Sequence, residues 1–269
     1  MVERVGFCPT HESVLASTGV DGMCRLWDVR VAGGAVGVGK GTKLAECKTG
    51  DTGLFLTWHP DGKEVLIGRK DDVVQAVDVR RMVGVDAVAA SWEMEATDRT
   101  PAKDMGQFNA MAFSNSGREL LATTGDGPVK VMDYPSLKVI HTLDAHTSAT
   151  YAVQHSPVGT YIAVGGSDSL VTLWDTTHWH CAHNITSHSG SVRDLSFSFD
   201  GAYIVASSGT DARDGSPGIQ VSHVDTGELV YTVETANPVT WIAWHPLRYF
   251  AAYAGDPGGL KIIGVGQLS

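Results

Sequence analysis

The sequence lacks the features that mark secreted, membrane-bound or nucleic-acid-binding proteins. Its four cysteines in 269 residues have no CxxC spacing, which indicates reduced thiols in an intracellular compartment. It has no signal-peptide pattern and no apolar run of 18 residues, so we expect no membrane partner. Only 20 Lys and Arg stand against 30 Asp and Glu, a net charge of −10, which argues against a large basic surface for nucleic acid.

Motifs for catalysis or cofactor binding are also missing. The stretch GAVGVGKGT (34–42) nearly matches a phosphate-binding loop, but Gly41 stands where a hydroxyl is needed and TKLAECKTG after it has a strand pattern, so we interpret it as an inter-blade loop. The histidines of HWHCAHNITSH (178–188) alternate with Trp179 and Cys181 along an expected outer strand, so we predict a strand rather than a zinc site. No nucleophile elbow is present. We therefore predict a protein that is not an enzyme and has no catalytic residue, cofactor, metal or small-molecule substrate.

A repeat dominates what is present. TGVDGMCRLWD, GRKDDVVQAVD, TTGDGPVKVMD and GGSDSLVTLWD each carry an Asp six residues before a Trp-like position, and weaker copies lie near Ser222 and Ile263. An aromatic residue or His opens each copy, with spacings of 51, 55, 42, 42 and 47 residues between Phe7, Trp58, Phe113, His155, Phe197 and Trp244. Short β-branched runs between Gly and Asp turns at this period are typical of a β-propeller with about four strands per blade.

The predicted fold is therefore all-β: one β-propeller over residues 1–269 with six repeats. Two long connections, at about 31–43 and 81–107, are predicted surface insertions, the second partly helical around VGVDAVAASWEME. We assign structural roles in turns, at strand ends and between blades to the repeated positions, because a repeated residue is a poor candidate for a catalyst. These positions are Asp21, Trp27, Asp28, Asp71, Asp126, His146, Asp168, Trp174, Asp175 and His188.

SLVTLWD and GMCRLWD resemble WD repeats. WHPDGKEVLIGRKDDVVQAVD, DYPSLKVIHTLDAHTSATYAVQHSPVGTYIAVGGSDSLVTLWD, SVRDLSFSFDGAYIVASS and VTWIAWHP resemble, in that order, the family of subunit 3 of the THO complex. That resemblance implies a nuclear scaffold in mRNP assembly, mRNA processing and mRNA export. The implied partners are the large helical THO subunits and, indirectly, an RNA helicase and an export adaptor, with RNA met mainly through the complex. The alternative is another WD-repeat adaptor, either a ubiquitin-ligase substrate receptor or a chromatin-complex scaffold.

The blade count departs from that family, which resembles a seven-bladed propeller. Six copies are visible, and Met1 stands almost at the start of an inner strand. We expect that the first blade of the family pattern is missing from this chain; the alternative is a ring that closes with six blades.

Partner contacts are predicted at one end of the inner strands. The residue four before each repeat-opening residue should begin an inner strand near the channel, and several are of the types that anchor interfaces. These residues are Glu3, Leu54, Asn109, Tyr151, Arg193 and Thr240. Lys70 and Asp71, in the RKDDVV turn, form a second candidate patch.

Overall fold

Antiparallel strands dominate the computed structural model, which describes residues 1–30, 42–71, 73–82, 91–93, 108–209, 218–255 and 259–264. Most of both predicted insertions, and residues 34–41 of the phosphate-loop-like stretch, lie outside these residues. The described part of the segment expected to be partly helical, Ser91–Glu93, is a strand, and the neighbouring helix is the four-residue α1 (Val79–Met82). No helix of the described ranges has the length and apolar character needed to cross a membrane.

Two compact units divide the chain, Met1–Leu120 and Leu121–Ser269. The first unit contains sheet one, with strand order β1-β2-β3-β4, and sheet two, with order β5-β6-β7-β8. Their strands are β1 (Val2–Cys8), β2 (His11–Gly19), β3 (Met23–Asp28), β4 (Thr42–Lys48), β5 (Gly53–Trp58), β6 (Glu64–Arg69), β7 (Val74–Asp78) and β8 (Ser91–Glu93).

Sheets one and two share a core of buried apolar side chains. Alternate residues of the strands supply it, as the two-residue period of a strand requires. Trp58 and the fully buried Val65 are among its members, and the Trp58 indole donates to the Gly6 carbonyl oxygen at 2.8 Å. Gly62 follows Asp61 in the β5–β6 hairpin with φ 71°, as the Asp-Gly dipeptide predicts.

Sheet three has the order β12-β11-β10-β9 and contains Leu120 and Leu121, where the two units divide. Sheets four and five follow as β13-β14-β15-β16 and β17-β18-β19-β20, and sheet six as β21-β22-β23. The strands are β9 (Phe108–Phe113), β10 (Glu119–Thr124), β11 (Val129–Asp133), β12 (Lys138–Leu143), β13 (Thr150–His155), β14 (Tyr161–Gly166), β15 (Val171–Asp175), β16 (Cys181–Ile185), β17 (Val192–Phe197), β18 (Tyr203–Ser208), β19 (Gly218–His223), β20 (Leu229–Glu234), β21 (Trp241–Trp244), β22 (Phe250–Ala254) and β23 (Leu260–Gly264).

Buried side chains fill the spaces between successive sheets of the second unit. Leu121, Leu143 and Ile162 join sheets three and four, with Trp174 packed against them as predicted for the Trp of the repeat. Other clusters join sheets four and five, and five and six. Gly201 turns the β17–β18 hairpin with φ 72°, again after an Asp.

The repeated Asp, His and Trp positions form one continuous hydrogen-bond chain in sheet four. Nδ1 of the buried His146 donates to Oδ1 of Asp168 at 2.8 Å, and Nε2 lies 3.3 Å from the Thr172 hydroxyl. The indole of Trp174 donates to the same hydroxyl at 2.9 Å. Asp168 also accepts the Leu170 N–H at 3.3 Å, within the turn between β14 and β15.

The other repeats keep only parts of this chain. Trp27 donates its indole N–H to Ser17 at 2.8 Å, and Asp21 pairs with Arg25. His188 is buried against the Ser208 hydroxyl, and Asp126 is exposed. The sheets therefore form without a complete copy of the repeat signature in each.

Candidate partner-binding surface

A β-bulge lies at the start of the first strand in sheets one, two, four and five. In sheet four Thr150 pairs with Gly166 and Ala152 with Gly165, which leaves Tyr151 as an extra residue outside the register. Sheets one, two and five have the same shift at the same place. The extra residues are Glu3, Leu54, Tyr151 and Arg193, all predicted as partner contacts. A bulged residue is released from the ladder, so its side chain is re-aimed relative to its neighbours.

In the second unit the bulged residues form a cationic and aromatic pair. The Arg193 guanidinium carbon lies 4.1 Å from the centroid of the Tyr151 ring, and both side chains are half-buried. Next to Arg193, Asp194 accepts the backbone N–H of Ile242 at 2.9 Å, which ties the first strand of sheet six to that of sheet five. An arginine held over a tyrosine ring is preorganised for a planar carboxylate or a partner aromatic residue.

The two remaining predicted contact residues, Asn109 and Thr240, lie at or just before the start of a strand. Thr240 is exposed and stands one residue before β21, whose pairing begins with Trp241 opposite Ala254. Asn109 is the second residue of β9 and is half-buried. Trp241, 41% exposed, was not predicted, because counting back four residues from Trp244 selects Thr240, whereas β21 begins at Trp241.

In the first unit the bulged residues are one acidic and one apolar side chain. Leu54 and Glu3 are half-buried, and the Arg4 guanidinium Nε donates to the Leu54 carbonyl oxygen at 3.1 Å. Arg4 was also missed, because only the tertiary contact links it to a residue fifty positions away. Lys70 and Asp71 are exposed, as expected of a surface turn, but the Asp71 carboxylate already pairs with the Arg69 guanidinium.

An apolar groove of about 520 Å³ opens between the faces of sheets five and six. The indole N–H of Trp244 is buried in its wall without a hydrogen bond among the described residues. Across the groove the Tyr249 hydroxyl donates to Asp200, and that bond raises the pKa of Tyr249. The groove suits apolar side chains together with one hydrogen-bond acceptor. Its lining residues are Tyr203, Val221, Val230, Tyr231, Val233, Trp244, Tyr249, Ala251, Ile263 and Gly264.

The sequence did not reveal this groove, although one signal was available. The outer strand β20 carries Leu229, Val230 and Tyr231 in succession, all exposed, where an outer strand in contact with water on one face would alternate.

His178 and His180 do not lie on an outer strand as expected, because β16 begins only at Cys181. Both belong to the tight turn that precedes it, on the same side as Asp175. The outer strand predicted for His178 and His180 is wrong, because residues 178–180 belong to a turn, in which the alternation of a strand does not apply.

Comparison with known proteins places these sheets in a family. The WD40 family (WD domain, G-beta repeat) matches residues 2–28, 137–175 and 179–216. THO complex subunit 3 of Arabidopsis thaliana is 33% identical over 255 residues, which cover 95% of this chain and 72% of that protein. The chain belongs to the WD-repeat family of THO complex subunit 3. The predicted fold class, an all-β WD-repeat propeller with six blades, is thereby confirmed.

More distant members of the WD-repeat proteins are also similar. WD repeat-containing protein AAC3 of Dictyostelium discoideum is 25% identical over 260 residues, and this chain spans 48% of its length. Cell division cycle 20.1, cofactor of APC complex, of Arabidopsis thaliana is 24% identical over 200 residues and 39% of its length. The crystal structure of the Myceliophteria_thermophila Cps50 (Swd1) beta-propeller domain superposes with a TM-score of 0.78 over 98% of this chain and 84% of that one, at 17% identity, and supports the fold alone.

Proposed function

We propose that this protein is a non-enzymatic scaffold subunit of a THO complex, acting in the nucleus in mRNP assembly, mRNA processing and mRNA export. The observation that carries the proposal is the 33% identity to THO complex subunit 3, which extends over 95% of the chain. Its direct partners are the large helical subunits of the complex; the RNA helicase and the export adaptor are indirect partners. Contact with RNA is made mainly by the other members of the complex, in keeping with the net charge of −10 on this chain.

Scaffolding fits the placement of the polar residues. The repeated Asp and His side chains in sheet four bond to one another and to the chain, so they are engaged in holding the sheet. The side chains released for contact are the bulged residues and their neighbours, chiefly Tyr151, Arg193 and Leu54. Aromatic and arginine side chains of this kind carry most of the binding energy at protein interfaces.

A second candidate is an adaptor of a different complex, such as a ubiquitin-ligase substrate receptor or a chromatin-complex scaffold. It is favoured by the 24% identity to Cell division cycle 20.1, cofactor of APC complex. That similarity covers 70% of the chain, against 95% for THO complex subunit 3, and the THO assignment therefore has the stronger support.

Affinity purification from nuclear extract tests the two candidates. The tagged protein is captured, treated with RNase, and its partners are identified by mass spectrometry. We expect the other THO subunits at near-stoichiometric amounts after RNase, because the contacts are between proteins. Recovery of a ubiquitin ligase or chromatin complex without THO subunits would establish the second candidate instead.

A matched pair of arginine variants tests the predicted surface. Arg193→Ala removes the side chain held on Tyr151, whereas Arg248→Ala removes an exposed arginine in the β21–β22 turn. We expect Arg193→Ala to weaken binding of the purified partner subunits at least about tenfold and Arg248→Ala to leave it unchanged. Equal binding by both variants would remove the bulged residues of the second unit from the interface.

A further inference from the structure

Three potential metal ligands meet at the turn between β15 and β16. Asp175 ends β15, and His178 and His180 follow within five residues. One ligand atom from each residue, a carboxylate oxygen or an imidazole nitrogen, lies within 4.8 Å of the other two. This is the one group of at least three such residues so placed within the described ranges.

The backbone of this turn fixes the carboxylate. The Asp175 N–H donates to the His180 carbonyl oxygen at 2.9 Å, which closes the turn. Oδ1 of Asp175 accepts the N–H groups of Thr177 and His178, at 3.0 and 2.7 Å. These bonds orient the carboxylate before any ion arrives and lower the pKa of Asp175.

Trp179 lies between His178 and His180 and anchors the turn that leaves both imidazoles exposed to solvent. Its backbone takes the left-handed conformation, with φ 56°, and its ring stacks on His141 with centroids 4.7 Å apart. The same ring packs against the apolar cluster between sheets three and four. His178 and His180, on either side of the partly buried Trp179, are both exposed, and the His178 side chain is 74% exposed.

The distances suit a first-row transition metal after a small side-chain movement. Zinc binds nitrogen and carboxylate oxygen at about 2.1 Å, so two ligands of a tetrahedral ion lie roughly 3.4 Å apart. Nδ1 of His178 and Oδ1 of Asp175 are already 3.1 Å apart. The ligand atom of the exposed His180 lies within 4.8 Å of both, so a side-chain rotation would have to bring it to an ion.

Comparison with other repeats shows why a cation belongs here. The strand-ending Asp28 and Asp78 are each neutralised by an arginine two residues later, Arg30 and Arg80. Asp175 has Thr177 at that position, and its carboxylate contacts the His178 imidazole instead. A bound divalent ion would supply the positive charge that a guanidinium supplies in the other two repeats.

We propose that Asp175, His178 and His180 bind one divalent transition-metal ion, Zn²⁺ in first place, with at least one coordination position open. Two imidazoles and one carboxylate favour Zn²⁺, Cu²⁺ or Ni²⁺ over Mg²⁺ and Ca²⁺, which prefer oxygen ligands. The exposed Cys181 is excluded from the set, because its Sγ lies against the His183 carbonyl and the Asn184 side chain. The site is independent of the proposed function.

The test is titration of the EDTA-treated full-length protein with ZnCl₂ by calorimetry. We expect one equivalent to bind, and MgCl₂ not to compete. Asp175→Asn, His178→Ala and His180→Ala should each weaken Zn²⁺ binding at least about tenfold. The matched control is His183→Ala, a histidine of the adjoining strand that packs edge-on against Tyr161 and lies outside the cluster.

Cobalt provides a second measurement that does not depend on heat. Co²⁺ bound to the three residues should give visible absorption bands that are lost in His178→Ala and kept in His183→Ala. Far-ultraviolet circular dichroism shows whether each variant is folded. The proposal is wrong if the wild-type protein takes up no stoichiometric Zn²⁺, or if His183→Ala lowers affinity as much as His178→Ala does.

Discussion

Sheets four and five have the same backbone but different polar interiors. Both have four strands, a bulge after the first residue of the first strand, and a register shift between the third and fourth strands. In sheet four His146 bonds to Asp168, whereas in sheet five His188 bonds to Ser208. The hydrophobic pattern and the turns therefore determine the backbone of each blade. The buried side-chain hydrogen bonds can differ between repeats without changing that backbone.

One strand position explains why the buried histidine has a different hydrogen-bond partner in each of the two sheets. Gly166, at the end of β14, has no side chain, and a Cβ there would meet Nδ1 of His146 at 2.5 Å and Oδ1 of Asp168 at 2.7 Å. Ser208 takes the corresponding place in β18 and supplies the partner of His188 itself. Glycine thus leaves room for a His–Asp pair, and serine replaces the aspartate.

The largest expected effect comes from His146→Ala. The substitution leaves Asp168 and Thr172 without their buried partner and opens a cavity, so we expect a loss of about 3 kcal/mol in the free energy of unfolding. His188→Ala removes one hydrogen bond to a neutral hydroxyl and should cost about half as much. Urea unfolding of both variants checks the comparison, and equal losses would mean that the Asp168 contact adds nothing.

A change of pH is expected to have an intermediate effect on the free energy of unfolding. Burial lowers the pKa of His188 to about 4, below its ordinary value of 6.5, so the unfolded chain takes up the proton first. The stability that depends on neutral His188 is therefore complete above pH 6.5 and is lost as the pH falls towards 4. Between pH 7 and pH 5 we expect a loss of about 2 kcal/mol.

His188→Gln isolates that contribution, because glutamine does not titrate. Urea midpoints measured from pH 7 to pH 5 should fall more steeply for the wild-type protein than for the variant. Parallel curves would show that other groups cause the acid sensitivity.

The smallest effect is expected from Thr172→Val. The valine keeps the shape of the buried side chain but removes the acceptor of the Trp174 indole N–H, at a cost of about 1 kcal/mol. Ser17→Ala removes the acceptor of Trp27 in sheet one and is the matched variant. Thermal unfolding should rank both below His146→Ala; a larger loss for Thr172→Val would make the indole contact the centre of the network.

The sequence reasoning succeeded where the repeat itself encodes the structure. The period, the Asp-Gly turns and the place of Asp168 could be predicted because local backbone preferences determine them. It failed at His178 and His180, where a left-handed Trp179 ends the expected alternation. The groove beside Trp244 could not be predicted either, because residues from two sheets and six strands form it.

The candidate contact residues were predicted by counting back four positions from each repeat-opening residue. The bulge that four of them share could be recognised only from the strand register. Leu54 and Tyr151 are extra residues of a bulge, which depends on the pairing of two strands rather than on one segment of sequence. The ion pair between Asp71 and Arg69 could not be predicted for a related reason, because the sequence of a turn does not determine which of its charged side chains form a contact.

The bulges have a consequence for how the protein can diversify. A residue outside the ladder contributes little to strand pairing, so Glu3, Leu54, Tyr151 and Arg193 can be exchanged while each sheet keeps its register. Under the proposed function, relatives with the same blades can therefore acquire different partners by substitution at these few positions. The proposed choice of partner and the stability of the fold would then be inherited largely through different residues.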